Sequence, residues 1–98
     1  MFQIQFTVTP NHPGLNTFTV NVGDASSGKP ATNLHVQLST TMLDMAMGTD
    51  ILDLPSGGNG HYSAQGALSM AGNWEIHILL RTPDALIHEA QVHLHTQS

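Results

Sequence analysis

The chain has 98 residues, with two basic side chains (Lys29 and Arg81) against seven acidic ones and a formal net charge of −5. So small a positive complement cannot neutralise a run of phosphates, which argues against a nucleic-acid partner. The length suits one domain with a single two-layer core. No apolar run reaches the length needed to cross a bilayer, so no direct membrane insertion by this segment is expected. Cysteine is absent, which removes disulfides, thiolate metal sites and cysteine nucleophiles together.

Phe2, Ile4, Phe6 and Val8 alternate with polar residues, and this period of two predicts a half-buried strand. Pro10 to Gly14 ends it, because prolines and glycine do not continue a ladder. Thr17 to Val22 repeats the alternation, a polar turn region spans Gly23 to Pro30, and Leu34, Val36 and Leu38 mark a third strand. After the stretch Met42-Leu43-Asp44-Met45-Ala46-Met47-Gly48, a short strand around Ile51 to Leu54 is closed by the glycine-rich segment Pro55 to Gly60, read as a hairpin loop. Tyr62 to Leu68 and Trp74 to Leu80 make two further strands, Thr82 to Ala85 a turn, and Ala90 to Leu94 the last strand. No helical period appears. Seven short strands separated by turn signals predict an all-β, seven-stranded antiparallel β-sandwich with Greek-key connections. Its expected core holds Phe6, Val8, Phe18, Val20, Val36, Leu38, Tyr62, Leu68, Trp74, Ile76, Ile78, Val92 and Leu94.

Two compositional features bear on chemistry. Seven histidines are many for this length, and three of the five methionines lie within seven residues. A thioether is soft, polarizable and uncharged, so it can ligate Cu(I) without first losing a proton. A chain rich in His and Met but free of Cys suits metal handling in an oxidising compartment. The competing reading of the Met stretch is ordinary core filling, and Met42, of opposite parity to Met45, is expected in the core. The early strand at the first residues fits a cytosolic protein, or equally a domain cut from a longer exported or membrane-anchored one.

Pro13 to Val20 before a Gly-Lys-Pro turn, then Met45-Ala46-Met47-Gly48, Gly60-His61-Tyr62, and Ser69-Met70-Ala71-Gly72-Asn73-Trp74-Glu75-Ile76 follow one another in an order that resembles the YtkA-like domain family. Within it, the chain is similar to exported domains at the C-terminal end of CopC/CopD-type copper transport proteins. The resemblance runs from about Pro13 to Leu94. It implies a single immunoglobulin-like domain over residues 1–98, excised from a longer exported or membrane-anchored protein. Such a domain lies at the outer face of the cytoplasmic membrane, periplasmic or extracellular, and binds copper to hand on to a membrane copper transporter or a cuproenzyme. Met45, Met47 and Met70 match the family's methionines, and Gly48, Tyr62, Gly72 and Trp74 match its structural positions. The mature N-terminal histidine that CopC uses for Cu(II) has no counterpart here, so that site does not carry over.

Met45 and Met47 are two apart, so on an extended segment their side chains leave on the same side. With Met70 and an imidazole, for which His61 beside the glycine-rich loop is the candidate, they would form a Cu(I) site. A second candidate comes from the last hairpin. A register pairing Arg81 with Glu89, His77 with His93 and Glu75 with His95 puts all of them on the outward face. His77, His93, His95 and Glu75 would then form a surface patch for Cu(II) or Zn, against the alternative of a plain solvated face. His12, His35 and His88 show no partner. No nucleophile-elbow or oxyanion-hole signal accompanies Ser39, Thr40, Asp44 and His35, so no enzyme is expected. The expected function is an exported copper-binding domain, the alternative a structural or protein-interaction sandwich without a metal site.

Overall fold

Alternation gives each strand one apolar edge, and two sheets laid face to face are what buries it. The computed structural model describes residues 2–45 and 48–97. It contains β1 (Phe2–Thr9), β2 (Gly14–Asp24), β3 (His35–Met42), β4 (Thr49–Leu54), β5 (Ser56–Gly58), β6 (His61–Leu68), β7 (Gly72–Arg81) and β8 (Ile87–Thr96). One sheet has the order β1-β2-β6-β5 and the other β4-β3-β7-β8, with antiparallel pairing throughout. The chain changes sheet between β2 and β3, β4 and β5, and β6 and β7. This is the interleaved Greek-key order of an immunoglobulin-like sandwich. Among the described residues no helix is long and apolar enough to cross a membrane.

The eighth strand lies in the segment expected to be loop. Ser56 pairs with Tyr62 and Gly58 with His61 across a bulge. Asn59 and Gly60 both take positive φ, 55° and 75°, which is the two-residue turn an Asn-Gly dipeptide favours. Any side chain at position 60 would strike the Val22 carbonyl, so glycine is needed there for space as well as for φ.

The core is built from the middle strands. Phe18, Val20, Val36, Leu38, Tyr62, Leu68, Trp74, Ile76 and Ile78 are buried as expected, joined by Val22, Met42, Leu54 and Leu80. Enclosing side chains of this size stabilises by roughly 1.5–3 kcal/mol each, as an upper estimate. Phe6, Val8, Val92 and Leu94, expected in the core, are only half-buried. They sit on the edge strands β1 and β8, where the sandwich has a neighbour on one side only. Two aromatics reach from the core to the loops. Trp74 Nε1 donates to the Met70 carbonyl at 3.2 Å. The Tyr62 hydroxyl donates to the Ala31 carbonyl at 2.9 Å and accepts from the Leu34 N–H at 3.3 Å.

The β7–β8 hairpin closes two residues earlier than expected. Arg81 pairs with Ile87, leaving Thr82 to Leu86 as the loop. The loop is closed by the Thr82 N–H on the Leu86 carbonyl and by the Leu86 N–H on Thr82 Oγ1, with Ala85 at φ 66°. The true pairs are therefore His77 with Gln91, Glu75 with His93 and Leu79 with Glu89. A shift of two keeps every side chain on its face, whereas a shift of one would have inverted the sheet.

Candidate functional site

Antiparallel pairing gathers chain ends into two poles. At one pole meet the end of β1, the start of β2, the end of β3, the start of β4, the end of β6, the start of β7 and the end of β8. The described connecting residues here include 10–13, 43–45 and 69–71, which bring His12, Asp44, Met45 and Met70 to the same end as His93 and His95.

The methionine loop is fastened to β7 by its own backbone and by Asp44. The Leu43 N–H donates to the Asn73 carbonyl at 2.8 Å, and the Asn73 N–H donates to Asp44 Oδ2 at 2.8 Å. Asn73 Nδ2 adds bonds to Asp44 Oδ1 and Oδ2 at 3.2 and 3.3 Å. These hydrogen bonds from Asn73 hold the Asp44 carboxyl below its usual range, with the nearby His95 and His93 contributing further. Gly72 makes the approach possible. A Cβ there would strike the Met42 methyl and Asp44 Oδ2, and its φ of +139° is one that side chains avoid.

Met42 is buried, as its parity foretold, whereas Met45 is 56% exposed. Met70 is half-buried, packed against the core beside Trp74. Met47 lies outside the described residues. His61 is not brought to this pole. It begins β6, whose other end leads to Met70, so the strand's length, roughly 20 Å or more, separates the two. Its Nδ1 is engaged with Asn21 Oδ1 at 2.9 Å. The expectation of His61 as a partner of the methionines is corrected on that ground.

The outward face of β7 and β8 carries Glu75, His77, His93 and His95 as expected, but not as one patch. His77 stands between two carboxylates, Nδ1 at 2.9 Å from Glu89 Oε1 and Nε2 at 3.1 Å from Glu75 Oε1. Gln91 also donates to Glu75. The Glu89 hydrogen bond is the main cause, and Glu75 a lesser one, of an imidazole pKa raised above its ordinary value, partly offset by desolvation. His93 and His95 turn away from this cluster toward Asn73, whose Oδ1 lies 3.1 Å from His93 Nε2 and 3.2 Å from His95 Nδ1. A shallow hollow of about 390 Å³ borders His77 and Glu89 and is otherwise lined by Gln37, Ser39, Thr41, Thr49 and Leu79. Among the described residues no three His, Asp or Glu side chains gather closely enough to hold a metal by themselves.

Asp44, Asn73, Glu89 and Gln91 are the polar residues that sequence reasoning left out of the candidate sites. Asn73 and Glu89 belonged to quoted motifs and pairs. Their roles follow from the β3–β7 and β7–β8 registers, which no local pattern encodes.

Residues 1–79 match the YtkA-like family. No curated protein matches the chain. Two solved structures share the fold. One is an engineered protein, 15% identical with a TM-score of 0.65, the match covering 98% of this chain and 20% of the other. The second is MtrC from Shewanella baltica, 11% identical with a TM-score of 0.64, covering 100% of this chain and 22% of the other. The chain thus spans about a fifth of the length of these structural neighbours, and at such identities the likeness concerns the fold alone. With the family matched over most of its length, this β-sandwich belongs to the YtkA-like family.

Proposed function

We propose that this domain binds copper as Cu(I) through the thioethers of the Met45–Met47 loop and Met70, and passes it to a membrane copper transporter domain or a cuproenzyme. The observation that carries the reading is the exposure of Met45, 56%, on a loop fastened to Asn73, three residues from Met70. A methionine serving only as core filler is buried, as Met42 is. Met45 is instead exposed, at the pole that also holds Met70. The donors suit a soft cation, because thioethers carry no proton to lose and no charge to desolvate. Copper is cargo in this reading, and the domain is not an enzyme. The absence of cysteine and the resemblance to CopC/CopD-type domains support an exported location outside the cytoplasmic membrane.

The test is Cu(I) added under reducing conditions. A metal site raises the thermal midpoint by mass action, and binding persists at mildly acidic pH, where an imidazole-only site fades. The double change Met45→Leu, Met47→Leu keeps volume and apolarity nearly constant. It should alter folding by less than about 1.5 kcal/mol while Cu(I) affinity falls sharply. Parental Cu(I) affinity in that variant overturns the proposal.

One observation favours a second reading. Leu43, Met45 and Ile51 are 50%, 56% and 66% exposed along the β3–β4 hairpin, an apolar edge suited to packing against a partner domain. Under that reading Cu(I) leaves the thermal midpoint where it was.

A further inference from the structure

The pole holds a second set of donors with a different chemical taste. His93 and His95 are two apart on β8 and project from one face. Their ring nitrogens converge on a single atom, Asn73 Oδ1, at 3.1 Å from Nε2 of His93 and 3.2 Å from Nδ1 of His95. The orientation of that amide is set by Asp44, which accepts from its Nδ2 and from the Asn73 backbone N–H. The oxygen is thereby turned toward the rings. Both rings donate their N–H to it, so the two protons occupy the space between three would-be donor atoms. Imidazole tautomers exchange readily, and both rings are exposed, so each proton can move to the other ring nitrogen.

We infer that His93 Nε2, His95 Nδ1 and Asn73 Oδ1 form a site for a divalent first-row cation, Cu(II) foremost. Two neutral imidazoles and an amide oxygen are borderline-to-hard donors. Such donors suit Cu(II) and, by the Irving–Williams order, bind it ahead of Ni(II) or Zn(II). Two ligands held about 2.0–2.1 Å from one metal at a right angle lie roughly 3 Å from each other, close to the present 3.1 and 3.2 Å between the ring nitrogens and Asn73 Oδ1. Asp44 is a positioning residue here. Its carboxylate aims the Asn73 oxygen and supplies a nearby negative charge, the kind of support that metal ligands depend on. Glu75, although directly opposite His93 in the ladder, is held by His77 and Gln91 and takes no part. The site shares no donor atom with the thioethers.

The experiment is a Cu(II) titration of the whole chain under oxidising conditions, read by electron paramagnetic resonance and by competition with a chelator. One bound Cu(II) with hyperfine coupling to two imidazole nitrogens is expected. His93→Ala and His95→Ala should each lower the affinity by more than the roughly 10–100-fold that losing a supporting partner costs. Asp44→Asn should fall within that range, while His61→Ala and Met45→Leu, Met47→Leu should leave Cu(II) affinity unchanged. The same His93→Ala protein should keep its Cu(I) affinity, which separates this site from the thioether proposal. Cu(II) affinity that survives His93→Ala, or that follows His77→Ala instead, overturns the assignment. Should either alanine variant lose its fold, His95→Gln, of similar size, decides the question by the same titration.

Discussion

The two poles of this sandwich hold three histidines each, and they use them in opposite ways. At the pole of the glycine turn, His35, His61 and His88 are dispersed. His35 lies 3.5 Å from Asp53, His61 on Asn21, and His88 edge-on to the Phe2 ring at a centroid distance of 4.8 Å. At the methionine pole, His93 and His95 converge on Asn73, with Asp44, Met45 and Met70 on the loops around them. Equal numbers of histidines thus produce spectators at one end and a candidate site at the other. The difference lies in whether ladder register brings their nitrogens toward one atom.

The largest effects should come from the aromatics that pin each pole's loops. Trp74→Ala removes the enclosed ring behind Met70 and should destabilise by about 3–5 kcal/mol in urea unfolding. Tyr62→Phe, at the other pole, leaves the Ala31 carbonyl and the Leu34 N–H without their partner and should cost about 1–3 kcal/mol. A cost for Trp74→Ala below about 1 kcal/mol would show that the methionine pole does not rest on the core as described.

Gly72→Ala tests the clamp that distinguishes the poles. It places a methyl group against the Met42 methyl and Asp44 Oδ2 at a φ of +139°, so a loss of about 1–3 kcal/mol is expected from strain alone. The Asp44–Asn73 bonds should loosen with it, read as faster exchange of the Asn73 amide proton. An unchanged unfolding midpoint together with unchanged exchange argues that the loop is not fastened there.

The smallest effect concerns His77, which lies between the poles. Its folded-state pKa is raised above the ordinary 6.5 by Glu89 and then Glu75. Protonated His77 therefore stabilises the fold fully below about pH 6.5, and that contribution is lost as pH rises through the folded value. His77→Gln should flatten this part of the curve of thermal midpoint against pH. If the slope persists in His77→Gln, another group causes it.

The alternation of Phe18, Val20, Tyr62, Ile76 and Ile78 with polar neighbours determined which faces are buried, and hence the sandwich, because period two in sequence is a face in space. The same parity sent Met42 to the core and kept Glu75, His77, His93 and His95 outside. Asn59-Gly60 carried a hairpin signal legible in two residues, although its neighbours Ser56 to Gly58 looked like loop. Register was not legible in the same way. Local apolar pairing is satisfied equally well two residues along, and the choice was made by Thr82 closing the loop on Leu86. Only tertiary structure set Asp44 on Asn73 and Asn73 between His93 and His95. Those contacts depend on how a loop docks on β7 and on the register of β7 with β8, and no pattern within one strand specifies which residue of the next will face it.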